Sequence, residues 1–224
     1  MFLKRHITGL LSRLYRAMIY PVKRCIAELR TDSILCPGSY IRNASLEGKN
    51  YLGKNTAFTE GKIGFGTYVN RDGDFSNTVI GKYTSIGARV KTEVGDHPVE
   101  RVAMHPAFND PRKIFGYSYV NRELWKSVTK GICIGSDVWI GNDVKIMDGA
   151  VIGDGAVVGS GAVVKGELPP YSISAGVPAR VIRYRFSEDE IKALLSDPWW
   201  EKDPEWIREH AEEFGDVKAF LGKG

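Results

Sequence analysis

Ile134 to Leu168 reads IGSDVWIGNDVKIMDGAVIGDGAVVGSGAVVKGEL. Stepping by six from its first residue meets Ile134, Ile140, Ile146, Ile152, Val158 and Val164, all β-branched aliphatics. Four places after each stand Val138, Val144, Ala150, Ala156, Ala162 and Leu168. Two places after each stand Ser136, Asn142, Asp148, Asp154, Ser160 and Gly166, polar or glycine throughout. Simple alternation would not keep that second position polar, so the period is six. Each hexapeptide is a short strand and a corner: the aliphatic points inward, the small residue fills the tight interior, and Gly, Asn or Asp takes the turn. Three such faces make a coil of eighteen residues, and stacked coils pair their backbones at about 4.8 Å. A repeat of this kind specifies a solenoid, here a mainly β, parallel β-helix.

The same register recurs at Ile80-Gly81 and Ile86-Gly87. It is looser at Leu52-Gly53 and Ile63-Gly64, which reads as disturbance by insertions such as Arg71–Phe75. Between Lys91 and Gly131 it vanishes into a stretch rich in His, Pro, Asn and aromatic residues. A loop so long within a repeat array points to function, and Phe108, Ile114, Phe115, Tyr117, Tyr119, Leu124 and Trp125 are too apolar for disorder.

The expected organisation is a helical segment over 1–33, the β-helix over 34–185 with an active-site loop at 92–131, and a helical cap over 186–224. In the first segment Leu3, Ile7, Leu10, Leu14, Met18 and Val22 recur at helical spacing. Residues 1–30 hold seven Lys or Arg against Glu28 alone, while the whole chain carries a net +4. Two readings stand for this basic amphipathic helix: packing on its own coil or a neighbouring subunit, and docking on an anionic membrane surface. Arg13 and Arg16 interrupt what would be a signal-peptide core, and no apolar run reaches the ~18 residues a span needs. At the other end Ser187 and Glu190 form a capping box, Asp203-Pro204 an N-cap followed by proline, and Trp199-Trp200 an anchor onto the solenoid.

Net charge is too small to imply nucleic acid. Cys25, Cys36 and Cys133 are odd in number and lack CxxC spacing, so they are expected to be buried or idle thiols in a reducing, cytoplasmic setting.

The repeat, the loop with GDHPVERVAMHPAF (95–108), the DVWIG (137–141) that resumes it, the exit AGVPARVIRYRF (175–186) and the WW tail together resemble a family. It is the hexapeptide-repeat acyltransferases, in the xenobiotic acetyltransferase branch that includes chloramphenicol and streptogramin acetyltransferases and related polysaccharide O-acetyltransferases. The resemblance covers roughly 34–207. It implies a left-handed β-helix, a homotrimer with sites between subunits, and acetyl-CoA as donor with no metal. It also implies His97 as the catalytic base. A histidine suits that task, because imidazole titrates near working pH and an attacking hydroxyl must lose its proton. His105 is the rival, with packing or acceptor contact as its other role; Asp96 has none assigned. His6 and His210 read as surface residues. By the same resemblance Trp139, Gly141, Gly159 and Ser160 would meet the pantetheine arm, and Lys165, Arg180 and Arg183 the nucleotide phosphates. For the glycines the competing reading is structural, since every corner favours Gly; for the cations it is solvated surface charge.

Function narrows to a hydroxyl acetyltransferase acting by direct transfer, with a carbohydrate favoured as acceptor and an antibiotic as the alternative. A metal enzyme on this scaffold would resemble a γ-type carbonic anhydrase, but the coils lack the histidines for it. A non-catalytic binding β-helix would not need a histidine-bearing loop.

Overall fold

The computed structural model describes residues 19, 21–22, 24–93 and 95–222. Most of the N-terminal amphipathic segment, with His6, lies outside the described residues. Its C-terminal part, α1 (24–31), is helical and reaches the first coil. Ala27 packs against the core, and the Glu28 carboxylate accepts from Leu35 N–H at 2.9 Å.

From Ile34 the chain winds as a parallel β-solenoid. One face is an eight-stranded sheet built from β1 (Ile34–Leu35), β3 (Tyr51–Leu52), β5 (Tyr68–Val69), β7 (Ser85–Ile86), β10 (Trp139–Ile140), β13 (Val157–Val158), β16 (Ser172–Gly176) and β17 (Ala179–Tyr184), in that order. All these pairings are parallel except the last, a closing antiparallel hairpin. The other faces come from β2 (Tyr40–Leu46), β4 (Ala57–Ile63) and β6 (Asp74–Ile80), then β8 (Lys91–Glu93), β9 (Ile132–Ile134), β11 (Lys145–Met147), β12 (Val151–Ile152), β14 (Val163–Val164) and β15 (Glu167–Leu168).

The six-step aliphatics from Ile134 to Val164 are all buried, as are the small residues from Val138 to Leu168. Each large one contributes about 1.5–3 kcal/mol by leaving water. Eighteen residues per coil holds here, with Trp139 opposite Val157. Earlier coils differ. Ile34, Tyr51, Tyr68 and Ser85 stand in register at intervals of seventeen. Their interior runs Leu52, Phe58, Ile63, Val69, Phe75, Ile80 and Ile86, a pattern of six, five and six. Nothing is inserted at Arg71–Phe75; each early coil is one residue short. The missing residue belongs to one corner, where β2, β4 and β6 turn on a single left-handed residue, Asn43, Glu60 or Asn77. Gly61 follows that corner because a Cβ there would sit 1.9 Å from Thr78 O.

The cap begins with α2 (Glu188–Ser196), where Ser187 and Glu190 form the capping box, and continues with α3 (Pro204–Glu209), whose N-cap Asp203 accepts from Trp206 N–H at 2.8 Å. Between them Trp200 is buried, and Trp199 lies 4.9 Å from the Tyr83 ring on a coil corner. Lys82 and Glu201 pair at 2.6 Å across the same junction. Phe214, just before a last short helix α4 (Val217–Leu221), lies 5.0 Å from Trp199 and 5.0 Å from Phe220 of that helix. His210 is half-buried, with its ring stacked 4.1 Å from Trp206; it belongs to the cap's packing and is no plain surface residue. The cysteines are free, but Cys25 and Cys133 are exposed and not buried. Among the described residues no helix is long and apolar enough to cross a membrane.

Candidate functional site

The long loop leaves after β8 and returns at β9, which resumes parallel pairing with β6. Two clamps fix its ends. Asp148, at a corner of the next coil, accepts from Lys130 N–H at 2.9 Å and Gly131 N–H at 3.1 Å. At the neck, Ser127 Oγ accepts from Asp96 N–H and donates to the Asp96 carboxylate, each at 3.1 Å. Asp96, given no role above, therefore holds the base of the loop beside His97.

Within this frame the loop has its own small core. Asn109 is 3% exposed, and its Nδ2 donates at 3.0 Å to both Ala103 O and His105 O. Its backbone carbonyl accepts from Leu124 N–H at 2.9 Å. Ser118 Oγ donates to Asp110 O at 2.8 Å, and Phe108 lies 4.9 Å from Tyr119. His105 is part of this packing. Its Nδ1 accepts from Ala107 N–H at 3.2 Å, capping the turn Pro106–Phe108, and its ring lies 4.8 Å from Phe115.

A cavity of about 410 Å³ opens inside the loop, and His97 lines it. The carboxylates of Asp96, Asp110 and Glu123 line it too, with Met104, Ile114 and Trp125 as apolar walls. Arg112 pairs with Asp110 at 2.5 Å and holds that carboxyl below the usual aspartate range. Asn109 is also in the lining, and its Oδ1 meets no donor. The amide cannot be turned round, because Oδ1 would then face two carbonyl oxygens. Arg112 and Lys126 complete the lining, so the cavity is polar and mixed in charge, with the Asn109 oxygen as an open acceptor for a ligand that brings a donor. Nothing in the sequence marked Asn109, Ser127 or Asp148: their partners stand at a distance in the chain or on main-chain atoms.

The remaining expected residues lie elsewhere, and the cavity around His97 is lined by loop residues alone. Gly141, Gly159, Ser160 and Arg180 follow one line across successive coils. A Cβ on Gly141 would come within 2.5 Å of Ser160 Oγ, and one on Gly159 within 2.9 Å of the Ala175 Cβ. Ala175 stands opposite Arg180 in the closing hairpin, as Ile173 stands opposite Arg183. Close coil stacking thus accounts for both glycines by itself. Trp139, 49% exposed, stands two residues before Gly141. Lys165 is exposed at the corner after β14. None of Lys165, Arg180 and Arg183 has a carboxylate partner among the described residues; Arg180 and Arg183 donate only to nearby carbonyls. No cluster of three His, Cys, Asp or Glu able to hold a metal occurs among the described residues.

Comparison with known proteins agrees with this architecture. Residues 134–166 match the family model described as bacterial transferase hexapeptide (six repeats). A chloramphenicol acetyltransferase of Escherichia coli is 40% identical over 146 residues, 61% of this chain and 65% of that protein. A probable macrolide acetyltransferase of Lysinibacillus sphaericus is 37% identical over 145 residues, 60% of this chain and 74% of that protein. The chain thus spans a little under two thirds of the length of the Escherichia coli relative. Among solved structures, a hexapeptide-repeat-containing acetyltransferase from Vibrio cholerae aligns over 83% of this chain and 92% of its own, with a TM-score of 0.47 and 21% identity. The chain belongs to the hexapeptide-repeat acetyltransferases.

Proposed function

We propose that the protein moves an acetyl group from acetyl-CoA to a hydroxyl of a carbohydrate, a surface glycan or its precursor, by direct transfer with His97 as general base. The observation that carries the acceptor class is the loop cavity, where an imidazole stands among polar side chains of both charges and the undonated oxygen of Asn109. Polyhydroxyl compounds bring several donors at once, and Trp125 offers a ring for a sugar face. His97 takes the hydroxyl proton as the oxygen attacks the acetyl carbon. The carbon–sulfur bond then breaks, and His97 returns the proton to the departing thiolate. No cysteine lies in the loop, so no thiol stands there for a covalent relay.

The line from Trp139 through Gly141, Gly159 and Ser160 to Arg180 and Arg183 fits the donor. It offers an apolar surface, closely spaced backbone, and then cations whose charge is unspent and suits phosphates. Lys165 adds a third cation at a neighbouring corner. None of these residues lines the His97 cavity in a single chain, and in our reading a second copy completes the site. The exposed stripe of Ile34, Tyr51, Tyr68 and Trp139 on one face is an apolar surface for that contact. A homotrimer is the assembly we propose, acting at the inner side of a membrane to which the basic residues 1–30 are drawn.

An antibiotic acceptor is the second reading, favoured by the names of the chloramphenicol and macrolide relatives. The experiment is an acceptor screen with the full chain and acetyl-CoA, following free thiol. Release of CoA with oligosaccharides or lipid-linked sugars supports the carbohydrate reading. Turnover with chloramphenicol or a macrolide alone overturns it.

A further inference from the structure

A second cavity, of about 350 Å³, shares no lining residue with the loop cavity and lies between the coil corners and the helical cap. Its apolar wall is Leu194, Phe214, Val217 and Phe220 of the cap. Its polar side is Asp137, Tyr171 and Arg185, with Asp216 at the rim. Tyr171 is 1% exposed, yet its hydroxyl has no hydrogen-bond partner, one of three such buried atoms among the described residues. Leaving a buried hydroxyl unpaired is costly, and folded proteins seldom do so without a use. Around it every other polar group is engaged. Arg185 donates to Asp137 at 3.0 Å and to Gly155 O at 2.7 Å, and its guanidinium lies over the Tyr171 and Phe186 rings. Asp216 caps α4 by accepting from Lys218 and Ala219 N–H.

Size and charge define what would enter. An apolar cavity of ~150 Å³ takes a benzene ring, so this one has room for a bicyclic body and a short polar arm. The lining holds Asp137 and Asp216, and its one cation, Arg185, is already spent on Asp137, whose carboxyl burial pushes above its ordinary range. With Arg185 engaged by Asp137 and Gly155 O, the lining offers no free cation to a phosphate or carboxylate. We propose that it is a binding site for a small neutral or cationic amphiphile, whose bicyclic apolar body packs on the cap and whose hydroxyl or amine partners the Tyr171 hydroxyl. Occupancy ties the cap to the last coils, because the walls belong to both.

The test uses the full chain and three indoles that differ in their terminal group: tryptophol, tryptamine and indole-3-acetate. Calorimetric titration should give one site per chain for the first two and at least roughly tenfold weaker binding for the anion. The melting midpoint should rise with the logarithm of ligand excess. Tyr171→Phe should melt no lower than the parent without ligand, while weakening tryptophol roughly two- to twelvefold through the lost hydrogen bond. Val217→Trp, which fills the space, should abolish binding; if it does not fold, Leu194→Phe serves instead. Absence of heat with all three indoles would overturn the proposal, as would undiminished binding to the filled variant or preference for the anion.

Discussion

His97 and His105 are eight residues apart and both exposed, but their contacts differ. His97 is exposed and lines the loop cavity, whereas His105 spends Nδ1 on Ala107 N–H and its ring on Phe115. His97→Ala should lower turnover ~10²–10⁴-fold, the usual contribution of a general base, and leave melting and CoA affinity unchanged. His105→Ala should cost less activity but loosen the loop, visible as faster proteolysis between Ala103 and Tyr119. The reverse pattern would move the base to His105. Arg180 and Gly141 make a second contrast on the proposed donor line. Arg180→Ala should raise the KM for acetyl-CoA about ten- to a hundredfold, from ~1.5–3 kcal/mol for a charge-assisted contact, with the acceptor KM unmoved. Gly141→Ala should instead lower the melting temperature, because its Cβ would lie 2.6 Å from the backbone nitrogen of Ser160.

At the scale of elements, the loop and the coils were unequally legible in the sequence. Ile134 to Leu168 announced its register because all its corners have the same length. The earlier coils repeat as six, six and five, so a search by sixes finds Leu52 and Ile63 only loosely and loses Phe58 and Phe75, although all are buried. Capping boxes are local and were readable; Ser187 and Glu190 are three residues apart. The loop's organisation was not, because it rests on pairs such as Asp96 and Ser127, 31 positions apart, and on main-chain carbonyls that every sequence has. His97 stood out only through family resemblance; no spacing pointed to Asn109. The Asp148 clamp gives the loop its own prediction. Asp148→Ala removes two charge-assisted bonds, about 1.5–3 kcal/mol each at most. Hydrogen exchange should quicken at Lys130 and Gly131 and through the loop, while β10 to β13 keep their protection.

For the whole molecule, the proposed trimer rests on the exposed stripe of Ile34, Tyr51, Tyr68 and Trp139. Light scattering should give about three times the 24.9 kDa chain mass, and Trp139→Glu should lower it. A parent protein of single-chain mass would end both the trimer and the shared-site model.

The switch from seventeen- to eighteen-residue coils gives the molecule a private reading frame. A loss or gain of seventeen residues in the N-terminal half keeps every later strand in step, whereas a slip of one residue turns a strand's inward side chains outward. Excising residues 51–67 brings Tyr68 to the place of Tyr51 and leaves every later coil in step. The shortened chain should fold, with a melting curve still cooperative, and keep its loop chemistry. Excising one residue more should not fold at all. Natural variation in solenoid length within such proteins would then follow that count, with the catalytic half carried along unchanged.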